Sequence, residues 1–460
     1  MTTPRFTVAP LALLSTSDLN SVPDTVARQD VSQGGDGYPG IRLVNTDNVP
    51  VPPQGITVTL PGGQYDGKLN FSDWSHNLTL KWPSTGNQSD IPGTLSPDGK
   101  TMTFPQTDLK LSQRDDRVMM WLPVHAHEDA PPGDTNLTFT IGDQEVPLGQ
   151  GSYPADLTIL GPKLYCVRRG LDSDQRLYFN SFDGTNWSPS VALPNSQQPA
   201  SSAEGPALAV YNNKLYCVHV SSSGDKSLWY TSFDGTNWTP DQQIPHGMAS
   251  DAAPALAVYN NKLYCVHVSS SGDKVLWYTS FDGTNWTPGQ YITGVSSDAG
   301  PALAVYNNKL YCAHLSSNSD GLVHIAAFDG TNWLGDWQAP VQGGSLMKSG
   351  AGPALAVYNN KLYCAHLSDN SDGIMYLACS DGGANWLWDS QVRVQDGGLM
   401  SSTKGPALAV YNNKLYCAHL SARGEEFVFL AAFDGSNWSP DQMVQGGAVR
   451  SAATPALAVY

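Results

Sequence analysis

Histidines and aromatic residues return at fixed places along this chain, and together those types can hold a polar ligand by hydrogen bonding and stacking. One set follows a cysteine by two positions: His219, His267, His314, His366 and His419, with Arg168 in the same place of the earliest copy. Another stands four residues before the Phe, or Ser380 in its place, of a recurrent Asp-Gly stretch: Tyr178, Trp229, Trp277, His324, Tyr376 and Phe429. Imidazole and guanidinium can donate to hydroxyls, and a flat ring can cover the apolar CH face of a sugar, so carbohydrate is the ligand class these types suggest. Packing between repeated units, with satisfied structural histidines, explains the same positions equally well. His125 and His127, followed by Glu128 and Asp129, form a metal-like cluster. Alternation puts both imidazoles on one face of a strand, where a solvated edge is the simpler account. No catalytic residue, metal or cofactor is expected.

Repeats must position these side chains. The Pro-Ala that opens each unit falls at Pro154, Pro206, Pro254, Pro301, Pro353, Pro406 and Pro455, at intervals of 52, 48, 47, 52, 53 and 49 residues. A four-stranded propeller blade takes roughly 40 to 50. The unit from Pro206 reads as "PALAVY", "KLYCVHV", "LWYTSF" and a piece opened by "NWTP". "NN" divides the first two and "DGT" the last two, both hairpin signals because Asn, Asp and Gly tolerate positive φ. The fold class is therefore all-β, with a β-propeller of four-stranded blades. Counted from "KLYC" there are six full copies, beginning at Lys163, Lys214, Lys262, Lys309, Lys361 and Lys414. The last "PALAVY", at 455–460, is expected to pair with the first blade and close a six-bladed ring. "PADLTILGPKLYC" at 154–166 competes for that place, which leaves a truncated seven-bladed array as the alternative.

Residues 40–150 lack the repeat. Their alternating runs, "GITVTLP", "NLTLKW" and "RVMMWLPV" among them, are bounded by "PGG", "PDGK" and "APPGDT" and read as a small antiparallel sandwich. "APPGDTNLTFTIG" resembles the last hairpin of bacterial immunoglobulin-like modules. Residues 1–39 read as a flexible leader, with a degenerate export signal as the lesser reading, and 151–460 as the propeller.

Composition excludes some partners. Charged residues make up 14% and the net charge is -16, which disfavours a phosphate-binding surface and hence nucleic acid. No stretch reaches the ~20 consecutive apolar residues of a membrane helix. Six of the seven cysteines occupy the "KLYC" position. Equivalent places in successive blades lie too far apart for a disulfide, so they read as buried thiols acting as small apolar residues.

"SFDGTNW" at 181–187, 232–238 and 280–286, with variants ending at Trp333, Trp386 and Trp438, resembles a shortened Asp-box of sialidase-like propellers and is similar to repeats in bacterial and fungal propeller lectins. That resemblance implies a structural part for Asp183, Asp234, Asp282, Asp329, Asp381 and Asp434, each capping its turn while the tryptophan wedges between strands. The function it implies is a multivalent lectin that binds glycans or glycoproteins in similar pockets around the ring, without catalysis. A protein-interaction or receptor-binding module of a toxin or surface assembly is the alternative, and a glycosidase is a lesser one because arginine is sparse in the repeats. A secreted or cell-surface setting is expected, and a cytoplasmic one stays open.

Overall fold

The computed structural model describes residues 6–11, 29–73, 75–142, 144–145, 157–171, 173–193, 199–382, 385–395, 397–421, 424–444 and 449–460. They are strand, turn and loop apart from one 3-10 turn at Gly63–Tyr65. The chain forms two compact units, Met1–Pro162 and Lys163–Tyr460.

In the second unit the repeats become six four-stranded antiparallel sheets. Blade 2 is typical: Ala207–Tyr211, Lys214–Val220, Leu228–Phe233 and Gln242–Gln243, from inner to outer strand. Asn212 and Asn213 make its first hairpin with φ of 45° and 53°, and four later Asn pairs repeat that conformation. A side chain that tolerates the left-handed region is what such a tight turn requires.

Blade 1 takes its inner strand from the last residues. Ala456–Val459 pairs antiparallel with the strand Leu164–Arg169, Leu164 opposite Val459 and Val167 opposite Ala456. The inner strands of all six blades then pack in a closed cycle. Tyr460 locks the junction: its backbone exchanges hydrogen bonds with Lys163 at 2.8 and 3.0 Å, and its hydroxyl donates to the Asn213 carbonyl at 3.0 Å. The same tyrosine-to-turn bond links Tyr211 to Asn261, Tyr259 to Asn308, Tyr306 to Asn360 and Tyr358 to Asn413.

The competing segment is used elsewhere. Leu157–Leu160 belongs to the first unit, antiparallel to Gly133–Thr135 and parallel to Gln29–Ser32. Leu157 and Ile159 are buried in that unit's core, so they are not available to blade 1. Six blades, rather than a truncated seven, follow.

Blade cohesion explains the apolar second strand. Tyr216, Val218 and Val220 of blade 2 pack against Leu263, Cys265, Phe281 and Trp286 of blade 3, so the strands between are covered on both faces. All seven cysteines are free and buried, the six at the repeat position as that position implied and Cys379 with them. Burial pushes the Cys166 thiol up to about 12.

The first unit is a sandwich of two five-stranded sheets with smaller sheets beside it. Ile41, Leu43, Leu78 and Leu80 from one large sheet meet Ile56, Val58, Met102, Phe104 and Phe139 from the other in one core. The leader expected over 1–39 needs correction. Phe6–Leu11 pairs with Gly40–Asn45, and Gln29–Ser32 pairs with Leu157–Leu160, while residues 12–28 lie outside the described residues. The unit also extends past 150, because its parallel strand pair needs 157–160.

Candidate functional site

Strand pairing merges the two recurrent sets into one. Each aromatic of a third strand stands directly opposite the basic residue of the second: Tyr178 with Arg168, Trp229 with His219, Trp277 with His267, His324 with His314, Tyr376 with His366 and Phe429 with His419. Directly opposed residues share a face, so the two side chains meet. His366 and Tyr376 stack with ring centroids 5.5 Å apart, His419 and Phe429 at 5.9 Å, and the Arg168 guanidinium lies 5.0 Å over Tyr178. The second-strand member is buried in every blade, whereas its aromatic partner is only partly buried.

A third residue completes most of these sites. His219 Nε2 donates to Asp241 at 3.0 Å, His314 to Asp336 at 2.9 Å, His366 to Asp389 at 3.0 Å and His419 to Asp441 at 2.9 Å. In blade 1 Ser190 takes the aspartate's place and accepts from Arg168 Nη2 at 2.8 Å, while Nη1 donates to the Arg450 carbonyl at 2.6 Å. Blade 3 breaks the pattern. Gly289 stands there, and a Cβ on it would come within 2.6 Å of the Met248 sulfur and methyl, so the thioether occupies the space. The Nε2 of His267 has no hydrogen-bond partner. Burial lowers the His267 pKa to about 4, against smaller opposing effects of the Val268 and Ala249 backbone.

This geometry changes the part the histidines can play. A buried imidazole whose Nε2 is already given to a carboxylate has no donor there for a ligand hydroxyl. His219, His314, His366, His419 and Arg168 thus spend these donors on the protein, and His267 alone keeps an unpartnered Nε2. The aspartates were missed in the sequence, although a signal exists: each stands three residues after the hairpin tryptophan, as Asp241 does after Trp238.

Polar neighbours of the aromatics differ from blade to blade. Trp229 Nε1 donates to Ser227 Oγ at 2.9 Å, Tyr178 OH to Asp174 at 2.8 Å, and Gln391 donates to Tyr376 OH at 3.1 Å. Trp277 instead packs against exposed Tyr291 at 5.9 Å.

The hairpin aspartates behave as structural caps. Asp234 accepts from the Thr236 and Asn237 amides at 2.9 and 2.7 Å, and Asp183, Asp282, Asp329 and Asp434 repeat the pair of bonds. These amide bonds hold the Asp183 carboxyl below its ordinary range. The turn after Asp381 includes residues 383–384, which lie outside the described residues. Phe281 and Trp286 stack at 5.1 Å within their hairpin.

Other concavities have different chemistry. Pro-Ala starts from all six blades ring a cavity of about 670 Å³, with Asp251 and Asp298 there tied to Lys226 and Lys274 at 2.6 and 2.5 Å. In the first unit His125, His127, Glu128 and Asp129 line a hollow of about 390 Å³. Its histidines have protein partners: His125 Nδ1 lies 3.0 Å from Asp36 and His127 Nε2 2.7 Å from Asn70, while Asp129 pairs with Lys68.

A family model described as the DUF6242 beta propeller domain matches residues 183–339. No curated protein matches the chain. Among solved structures, the six-bladed fucose-recognising lectin of Aleuria aurantia is similar at 13% identity, over 62% of this chain and 96% of that one, with a TM-score of 0.47. The SapL1 lectin, solved with α-methyl fucoside, is similar at 15% identity over 62% and 94%, TM-score 0.45. An α-L-arabinofuranosidase from Clostridium thermocellum is similar at 18% identity over 52% and 93%, TM-score 0.37.

Proposed function

We propose that the propeller is a multivalent carbohydrate-binding unit whose contact residues are Tyr178, Trp229, Trp277, Tyr376 and Phe429. One observation carries this reading: partly exposed rings recur at one strand position, each directly opposite a buried basic side chain. A ring already fixed in place loses little freedom when a sugar's CH face stacks on it, so more of the contact energy appears as affinity. Each such ledge is shallow and binds weakly. Several on one ring act together on a target that displays repeated sugars, which raises the overall avidity without new contacts. The varied groups nearby, Ser227, Asp174 and Gln391, are suited to different hydroxyls, so the blades need not prefer the same glycan.

Binding of the full chain to a glycan array, fucosides included, tests the reading against Trp229→Ala/Trp277→Ala. The double variant is first checked for an unchanged melting temperature. Selective binding by the wild type, reduced at least tenfold in the variant, is the expected result. A folded wild type that binds no glycan overturns the reading and favours a protein partner.

A further inference from the structure

Blade 4 departs from the other five blades at the aromatic position of the site. Where the other blades carry Tyr178, Trp229, Trp277, Tyr376 or Phe429 over the buried basic residue, it carries His324. That substitution brings three metal-ligating side chains together. His314 Nε2 lies 2.9 Å from one oxygen of Asp336, His324 Nδ1 lies 3.3 Å from the other, and one ligand atom from each residue falls within 4.8 Å of the other two. The two imidazole centroids are 5.7 Å apart.

These spacings match what a small cation needs. Ligand atoms about 2.0–2.2 Å from a tetrahedral ion stand roughly 3.3 Å from one another, so small side-chain shifts would seat it. The donors come from three adjacent strands, Lys309–Leu315, Val323–Phe328 and Trp333–Gln338, whose ladder holds their spacing. His324 Nδ1 is buried, and apart from that Asp336 oxygen it has no polar partner. His314 Nδ1 lies 3.3 Å from the Leu315 carbonyl, a contact that would hold the ring in place when a cation replaces the proton Nε2 now shares with Asp336. His314 is buried, but His324 and Asp336 keep side-chain exposures of 18% and 23%, which leaves an entry path.

We propose that His314, His324 and Asp336 bind a divalent transition-metal ion, zinc by preference, with the fourth position open to water or a ligand. Two imidazoles and one carboxylate suit zinc and its neighbours better than magnesium or calcium, which favour all-oxygen shells. Blades 5 and 6 have the same His–Asp pair but place Tyr376 and Phe429 where the second imidazole stands, so the site belongs to blade 4 alone among them.

The test is zinc titration of chelator-stripped full chain by calorimetry and by competition with a chromogenic chelator, wild type beside His324→Tyr. Tyrosine already sits at this position in blade 5, so the variant should fold, and melting without metal checks that it does. The wild type should take up one zinc equivalent more than the variant, with that equivalent weakened at least a hundredfold by the loss, since even disturbing the groups behind a ligand costs about 10- to 100-fold. Cobalt should give visible absorption bands that disappear in His324→Tyr. Zinc bound by His125 and His127 would count equally in both proteins. Equal uptake by the two, or none by the wild type, overturns the proposal.

Discussion

Replacing His267 with glutamine should make the propeller less sensitive to acid. The imidazole is buried without the carboxylate that supports its counterparts, and its pKa falls from 6.5 to about 4, chiefly through burial. In the unfolded chain the same side chain titrates at its ordinary value. Between those two values the unfolded state binds a proton that the folded state refuses, so stability falls as the pH drops through this window and levels off below about pH 4. A difference of roughly 2.5 units at 1.36 kcal/mol each amounts to about 3 kcal/mol in full, most of it developed by about pH 4.5. Urea unfolding of wild type and His267→Gln, followed by tryptophan fluorescence at about pH 7.5 and 4.5, isolates the effect because the other titrating groups are common to both. The wild type should lose about 2.5 kcal/mol more than the variant on going to the lower pH. Proton resonances of the imidazole give the pKa directly. Equal acid sensitivity in the two proteins, or a His267 titration near 6.5, would refute the argument.

Three further outcomes follow, one from the His267 site and two from the ring closure. Gly289→Asp combined with Met248→Ala, which clears the thioether from the new side chain, should pair His267 as the other blades pair theirs; its NMR titration should move up toward the ordinary value. Tyr460→Phe removes the hydroxyl bond to Asn213 at the ring closure and should cost about 0.5–1 kcal/mol in thermal unfolding. Deleting 456–460 is far more severe, because Leu457 stands directly opposite Cys166; that thiol, buried in the full chain, should then react with a thiol reagent under native conditions, and in the full chain it should not.

Much of the propeller is legible because its signals are local. Asn-Asn turns, capped Asp-Gly hairpins and an apolar "KLYC" strand each follow from a few adjacent residues, and the structure places them where the pattern implies. The candidate site was half legible. Its aromatic and basic members recur visibly, but the aspartates that occupy four of the histidines, Asp241, Asp336, Asp389 and Asp441, lie 22 or 23 residues further along the chain and meet them only once the blade is folded. Gly289 is an equally visible exception, yet its meaning depends on Met248 filling the space across the blade interface.

By itself the sequence determined the period of the repeat, the turns that divide it and the strands that must be buried, since these depend on backbone preference and side-chain polarity within a few residues. Tertiary structure alone decided which of two similar segments completes blade 1. Both read as inner strands, but 157–160 can bury Leu157 and Ile159 in the sandwich core, while 456–459 reaches an unpaired edge at Leu164–Arg169. It also decided that His324 meets His314 and Asp336, because strand register sets which distant residues share a face.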